Sequence, residues 1–196
     1  MYLSRVMLDP LAKRVQKGIA DPRVMHRIVN SVFPAGMNGW ERVLWRQEIK
    51  GHVPYLLVQS LVEKPDWSSL PSECLCQRSS PEMKAFDIRL RPQQVLRFRL
   101  RANPTVKRNG KREGLYRESE QLTWIQRKAT DNGFRLVDVR MKARKIEVAG
   151  DAPLCLLSAQ FDGVLQVLDP DKVTNALRRG IGPAKAFGLG LLSLTA

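Results

Sequence analysis

The sequence of 196 residues predicts an α+β protein made of two small units in tandem, each an antiparallel sheet with helices on one face. Three observations lead there. Strand-like and helix-like patterns alternate in the first half and again in the second. The helical stretches starting at Asp21 and Asp169 open with the same Asp-Pro pair, an N-cap followed by a proline suited to the first helical position. A chain of this length with 43% hydrophobic residues also has enough apolar material for two compact cores. The order of elements is of ferredoxin-like type in each half, with residues 1–90 as the N-terminal domain and 91–196 as the C-terminal one.

The elements follow in order. A strand spans Tyr2 to Leu8, and a helical stretch in two pieces follows it. Strand-like runs cover Arg42 to Glu48 and Val53 to Leu61, separated by the turn that holds His52, a solvated histidine. The passage KPDWSSLPSE reads as loop. The second half begins with QVLRFRLRANP and continues through a polar loop from Lys107 to Gly114 and a helix from Glu118 to Thr130. A basic hairpin, a long strand from Leu154 to Leu168, a helix and a short strand complete it.

Charge restricts the partner. The net charge is +14 and the isoelectric point about 10.3, which favours a polyanion. The excess is local, with 17 basic against 6 acidic residues between Arg89 and Gly150. A membrane partner is disfavoured because no apolar run approaches the roughly 18 to 20 residues that spanning requires, and the short apolar start is no signal peptide, so a cytoplasmic protein is expected. Cys74, Cys76 and Cys155 lack the CxxC spacing and nearby histidines of a zinc site, so no metal is expected.

Four stretches could carry chemistry. On the helix after Asp21, Met25, Ile28, Val29, Val32 and Phe33 form an apolar stripe with His26 at its edge. His26 reads either as a boundary histidine packed on the core or as a catalytic group, since Arg23 and Arg27 could hold a phosphate within its reach. In QVLRFRLRAN, Leu96, Phe98, Leu100 and Ala102 alternate with Arg97, Arg99, Arg101 and Asn103, and three outward arginines favour nucleic acid over a merely solvated face. The segment VRMKARKIEV offers Arg140, Lys142, Arg144 and Lys145 to a duplex groove.

The fourth stretch is GIGPAKAFGLG. Gly180 suits a helix C-terminal stop, and Gly182, Gly188 and Gly190 with Lys185 read equally as a concave phosphate site or as a turn packed against a helix. It is neither a Walker loop, which ends in Gly-Lys-Ser/Thr, nor a dinucleotide fingerprint, so a nucleotide-triphosphate enzyme is disfavoured.

Taken together, MYLSRVMLDP, DPRVMHR, LRFRLRANP, ESEQLTWIQRK, FDGVLQVLDP and GIGPAKAFGLGLLSL, in this order, resemble the CRISPR RNA-processing endoribonucleases of type I-E systems, the CasE subunit of Cascade. The resemblance implies two tandem ferredoxin-like domains that bind the stem-loop of a CRISPR repeat and cut at its 3′ base without a metal or other cofactor. It also implies that the product stays bound, with the other type I-E Cascade subunits as partners. His26 aligns with the family's catalytic histidine; the family often has a tyrosine three residues earlier, where this chain has Arg23. Two other readings stay in view: a non-cleaving RNA-hairpin-binding assembly subunit on the same fold, and a basic ribosome-associated protein.

Overall fold

The computed structural model describes residues 1–34, 42–148 and 153–195. The chain divides into two compact units: the first holds Met1–Asp87 together with Ala186–Gly188, and the second holds the rest of the described chain.

In the first unit, β1 (Tyr2–Met7), α1 (Lys13–Ala20), α2 (Pro22–Asn30), β2 (Leu44–Lys50), β3 (Val53–Ser60) and β4 (Glu82–Ala85) form an antiparallel sheet of order β2-β3-β1-β4 with both helices in the β1–β2 connection. Asp21 starts α2 as expected: its carboxylate accepts the Arg23 amide at 2.8 Å, and Pro22 takes the first helical position. The apolar stripe of α2 enters a core with Val6, Leu8, Leu56 and Val58. The passage expected as loop is more ordered than its composition suggests. It winds through two short 3-10 turns and sends Trp67, Leu70 and Cys74 into that core, because their apolar surface outweighs the turn-forming Pro and Ser around them.

In the second unit, β5 (Val95–Ala102), β8 (Phe134–Val148), β9 (Leu154–Val167) and β10 (Leu192–Thr195) form a sheet of order β10-β5-β9-β8. Helices α3 (Glu118–Asp131) and α4 (Pro170–Arg179) cover one face. Both sheets share the ferredoxin-like strand order. The expected polar loop is instead a two-stranded ribbon, β6 (Thr105–Arg108) and β7 (Lys111–Gly114), closed by Asn109 and Gly110, both at positive φ. Its charge concealed the alternation. Trp124, Ile125 and Ala129 of α3 and Val173, Ala176 and Leu177 of α4 pack on Phe98, Leu100, Phe161 and Leu165, with Trp124 stacked on Phe161 at 6.1 Å.

One irregularity organises this sheet. The β8–β9 register slips between Leu136 and Asp138. Before the bulge Phe134 and Leu136 face the core; after it Val139 and Met141 do, so the inward positions change from even to odd. Gly163 lies opposite, and a Cβ there would stand 2.0 Å from the Asp138 carbonyl oxygen.

Candidate functional site

The bulge decides which cations share a surface. With inward positions shifted, Arg140, Lys142 and Arg144 turn to the sheet face that the helices leave open. The register sets Arg140 beside Asp162 and Lys142 beside Gln160, and on the other side of β9 the same two residues neighbour Arg99 and Arg101. Arg97, Arg99 and Arg101 therefore lie on one face with the hairpin cations. Two basic segments far apart in sequence make a single patch.

The patch is wired internally. Arg99 Nε donates to Asp162 Oδ1 at 2.6 Å, Gln160 Nε2 to Asp162 Oδ2 at 2.7 Å, and Arg101 Nη2 to Gln160 Oε1 at 2.8 Å. Arg99 is thus partly offset. Arg97, Arg140, Lys142 and Arg144 are exposed, and none has a side-chain hydrogen bond or ion pair among the described residues. Asp162→Asn keeps the shape of the chain and removes its one anion. It is expected to raise RNA affinity several-fold at low salt and to steepen the dependence of log K on log salt by about 0.7 to 0.9, one more phosphate engaged; a salt titration by fluorescence anisotropy reads both.

Two expected members leave this surface. Lys145 sits on the opposite face of β8, beyond the core, with Nζ 2.5 Å from Glu147 Oε1, because its odd position follows Met141 inward after the bulge. Asn103, expected outward with the arginines, is buried just past the end of β5, where strand alternation no longer applies.

His26 stands on α2, half-buried at the edge of the apolar stripe. Its Nδ1 is enclosed without a partner, while Nε2 lies 3.1 Å from Asn30 Nδ2 at the exposed end. Asn30 Nδ2 can only donate, so Nε2 accepts here, and it is the ring nitrogen that exchanges a proton with a ligand once that ligand displaces the Asn30 amide. Burial holds the imidazole below its ordinary value of 6.5. The contact from Asn30, a residue of the helix's polar side, was not anticipated, although its position one turn after His26 is a helical neighbour's spacing. Arg27, one residue on, is exposed with no hydrogen-bonded partner among the described residues. Arg23 is committed: its Nη2 lies 2.9 Å from Asp21 Oδ2 and its Nε 3.0 Å from Oδ1, and this contact holds the Asp21 carboxyl below the usual carboxylate range. Of the two arginines, Arg27 carries the unspent charge.

The glycine loop resolves toward packing. Gly180 ends α4 at φ 70°, and its amide donates to Ala176 O at 2.8 Å. The Gly190 amide donates to Arg101 O at 2.6 Å, so neither amide faces an anion. A Cβ on Gly188, at φ 76°, would stand 2.6 Å from the Trp45 ring, and one on Gly182 would stand 3.2 Å from Trp124. Lys185 Nζ donates to Gly182 O. At Gly182 and Gly188 the absence of a side chain lets tryptophan rings close on the backbone.

Among the described residues no group of three or more His, Cys, Asp or Glu side chains could hold a metal ion, and no helix is long and apolar enough to cross a membrane.

Cations spread over an open sheet face, with Asp162 as a counterweight within the arginine ladder, suit a phosphate backbone. The class so defined is that of RNA-binding proteins on paired ferredoxin-like units. Comparison with known proteins is more specific, and the chain belongs to the family described as CRISPR associated protein, whose model matches residues 1–195. It is 38% identical, over an alignment of 214 positions covering 99% of each chain, to CRISPR-associated endoribonuclease Cse3 of Thermus thermophilus. It is 37% identical to CRISPR system Cascade subunit CasE of Escherichia coli over 57% of this chain and 63% of that one. The structure of Thermus thermophilus Cse3 bound to an RNA representing a pre-cleavage complex matches with a TM-score of 0.88 at 34% identity, covering 100% of this chain and 98% of that one.

Proposed function

We propose that this protein is a CRISPR RNA-processing endoribonuclease that binds the repeat stem-loop, cuts at the 3′ base of the hairpin without a metal, and remains on the product as a cytoplasmic Cascade subunit. In this reading residues 1–90 carry the catalytic histidine and 91–196 carry the basic surface. The observation that supports it best is His26: an imidazole whose proton affinity burial lowers, with Nε2 at the exposed end and the exposed guanidinium of Arg27 on the next residue.

The chemistry requires little else. The ribose 2′-oxygen next to the scissile phosphate attacks phosphorus in line, forming a 2′-O–P bond as the P–O5′ bond breaks. The 2′-hydroxyl gives up its proton to a base, the departing 5′-oxygen takes one, and the products are a 2′,3′-cyclic phosphate and a 5′-hydroxyl. With the Asn30 amide displaced by the RNA, neutral His26 accepts the first proton at Nε2, and Arg27 stabilises the extra charge on the pentacoordinate phosphate. Arg23 contributes through Asp21, by fixing the start of α2. The cations of the second unit hold the stem: Arg97, Arg140, Lys142 and Arg144 directly, and Arg99 and Arg101 through the Asp162–Gln160 chain.

The deciding experiment incubates the protein with a repeat hairpin in excess chelator, beside the same hairpin carrying 2′-deoxy at the cut site. Scission of the ribose substrate only, ending in a cyclic phosphate, supports the reading. Binding without scission supports the non-cleaving assembly subunit, and scission only on adding magnesium overturns the metal-free step.

The lowered proton affinity of His26 fixes a pH dependence. As a base it must be unprotonated, so kcat/KM is expected to rise with pH through an acid limb below 6.5 and to be flat at neutrality, which a single-turnover pH series reads. The folded state takes up its proton at lower pH than the unfolded chain does. His26 therefore withdraws stability as pH falls from 6.5 through the lowered value.

A further inference from the structure

The ribbon β6–β7 is not explained by the surface described above. It carries Lys107, Arg108, Lys111 and Arg112 within eight residues, stands outside the four-stranded sheet, and sits against α3 on the helical side of the second unit. A two-stranded ribbon is marginal by itself and needs a packing partner. Val106 and Leu115 supply that packing by joining the core beside Trp124, and a cavity of about 290 Å³ remains between ribbon and helix.

The walls of this cavity are chemically divided. Its floor is apolar, formed by Val106, Leu115 and Trp124. Arg108 stands on the ribbon wall, 3.4 Å from Glu113 in a long, exposed pair. Arg127 stands on the helix wall, one turn beyond Thr123, exposed and without an ion pair or hydrogen bond among the described residues. Thr123 Oγ1 donates to Ser119 O at 2.9 Å, so its lone pairs remain for a donor in the cavity. Glu120, the acid on the rim, is turned to the start of its own helix, where it accepts the Arg117 amide at 3.4 Å.

The geometry points to a second RNA site: a single-stranded nucleotide from the segment flanking the stem, its base on the Val106–Leu115–Trp124 floor and its phosphate between Arg108 and Arg127. A guanidinium on each wall matches the two exposed oxygens of a phosphodiester, and an apolar floor without a hydrogen-bonding pattern accepts any base. The volume is at the small end of ligand pockets, about 300 Å³, which suits one nucleotide and excludes a duplex. The ribbon's remaining cations extend the attraction along the strand. This inference rests on the proposed RNA-processing role for the source of the strand, but it concerns binding outside the cut.

The test compares uncleavable hairpins, 2′-deoxy at the cut site, that are bare or carry ten single-stranded nucleotides on the 5′ or the 3′ side. Dissociation constants are measured by fluorescence anisotropy at fixed salt for the wild type, Arg127→Ala and Arg108→Ala/Arg127→Ala, scission is followed separately on the all-ribose hairpin, and thermal melting confirms that each variant is folded. One extension is expected to tighten wild-type binding about tenfold, and the double variant to reduce that gain to less than twofold while bare-hairpin affinity and cutting stay unchanged. No gain from either extension in the wild type, a gain that survives in the double variant, or equal losses on bare and extended RNA would each overturn the site. Loss of scission in the wild type would count against the proposed function and leave these binding differences readable.

Discussion

His26→Ala is expected to slow scission of a repeat hairpin by about 100- to 10,000-fold in single turnover, while the dissociation constant for the uncut hairpin changes less than threefold. The size follows from what one positioned proton acceptor supplies. The selectivity follows from where the side chain sits: half-buried on α2, it takes no part in the cationic face of the second unit. Binding energy from that face is the same for uncut strand and transition state, so losing His26 removes a term felt only as the 2′-oxygen loses its proton. A substrate with 2′-deoxy at the cut should be inert with both proteins. An unchanged rate for the alanine variant would eliminate the imidazole as the proton acceptor and return the protein to the non-cleaving reading. His26→Gln makes a useful companion, because it keeps most of the volume on the α2 stripe and separates a proton-transfer defect from a packing one.

The second large effect lies far from the cut. Gly163→Ala is expected to destabilise the second unit by about 3 kcal/mol or more, since the new methyl meets the Asp138 carbonyl oxygen, backbone that no side-chain rotation can move aside. Either the strands separate locally or the bulge is lost. Losing the bulge would return the even positions of β8 to the core face and turn Arg140, Lys142 and Arg144 inward, where unpaired charge is not tolerated. Chemical denaturation should show the lowered midpoint. The surviving folded fraction should bind hairpin RNA more weakly, with a shallower salt dependence, because the three cations proposed to meet phosphates depend on the register. Val164→Ala, on the open face one residue along, is the control and should leave the salt dependence intact.

Much of this was written locally in the chain. The Asp-Pro starts at residues 21 and 169 became capped helices because the signal is a short-range one, a carboxylate accepting a nearby amide. The strand QVLRFRLRAN kept its alternation as far as Ala102, since its apolar side had a core to enter. His26 fell at the stripe's edge as the helical wheel placed it. The Asn30 contact, the burial that lowers its proton affinity and the diversion of Arg23 to Asp21 depend on side-chain placement that periodicity does not encode.

The sequence by itself determined the two-unit α+β plan, the sign and strength of the charge, the helix starts and the imidazole, because each rests on composition or on neighbours within about one turn. Only the tertiary structure decided which cations act together. The β8 bulge admitted by Gly163 put Arg140, Lys142 and Arg144 beside the β5 arginines and sent Lys145 to Glu147, and tryptophan rings closed on Gly182 and Gly188 of the C-terminal loop. The physical reason is that a side chain's face on a strand reverses with every residue of register, and register is fixed by packing across the sheet between segments far apart in the chain.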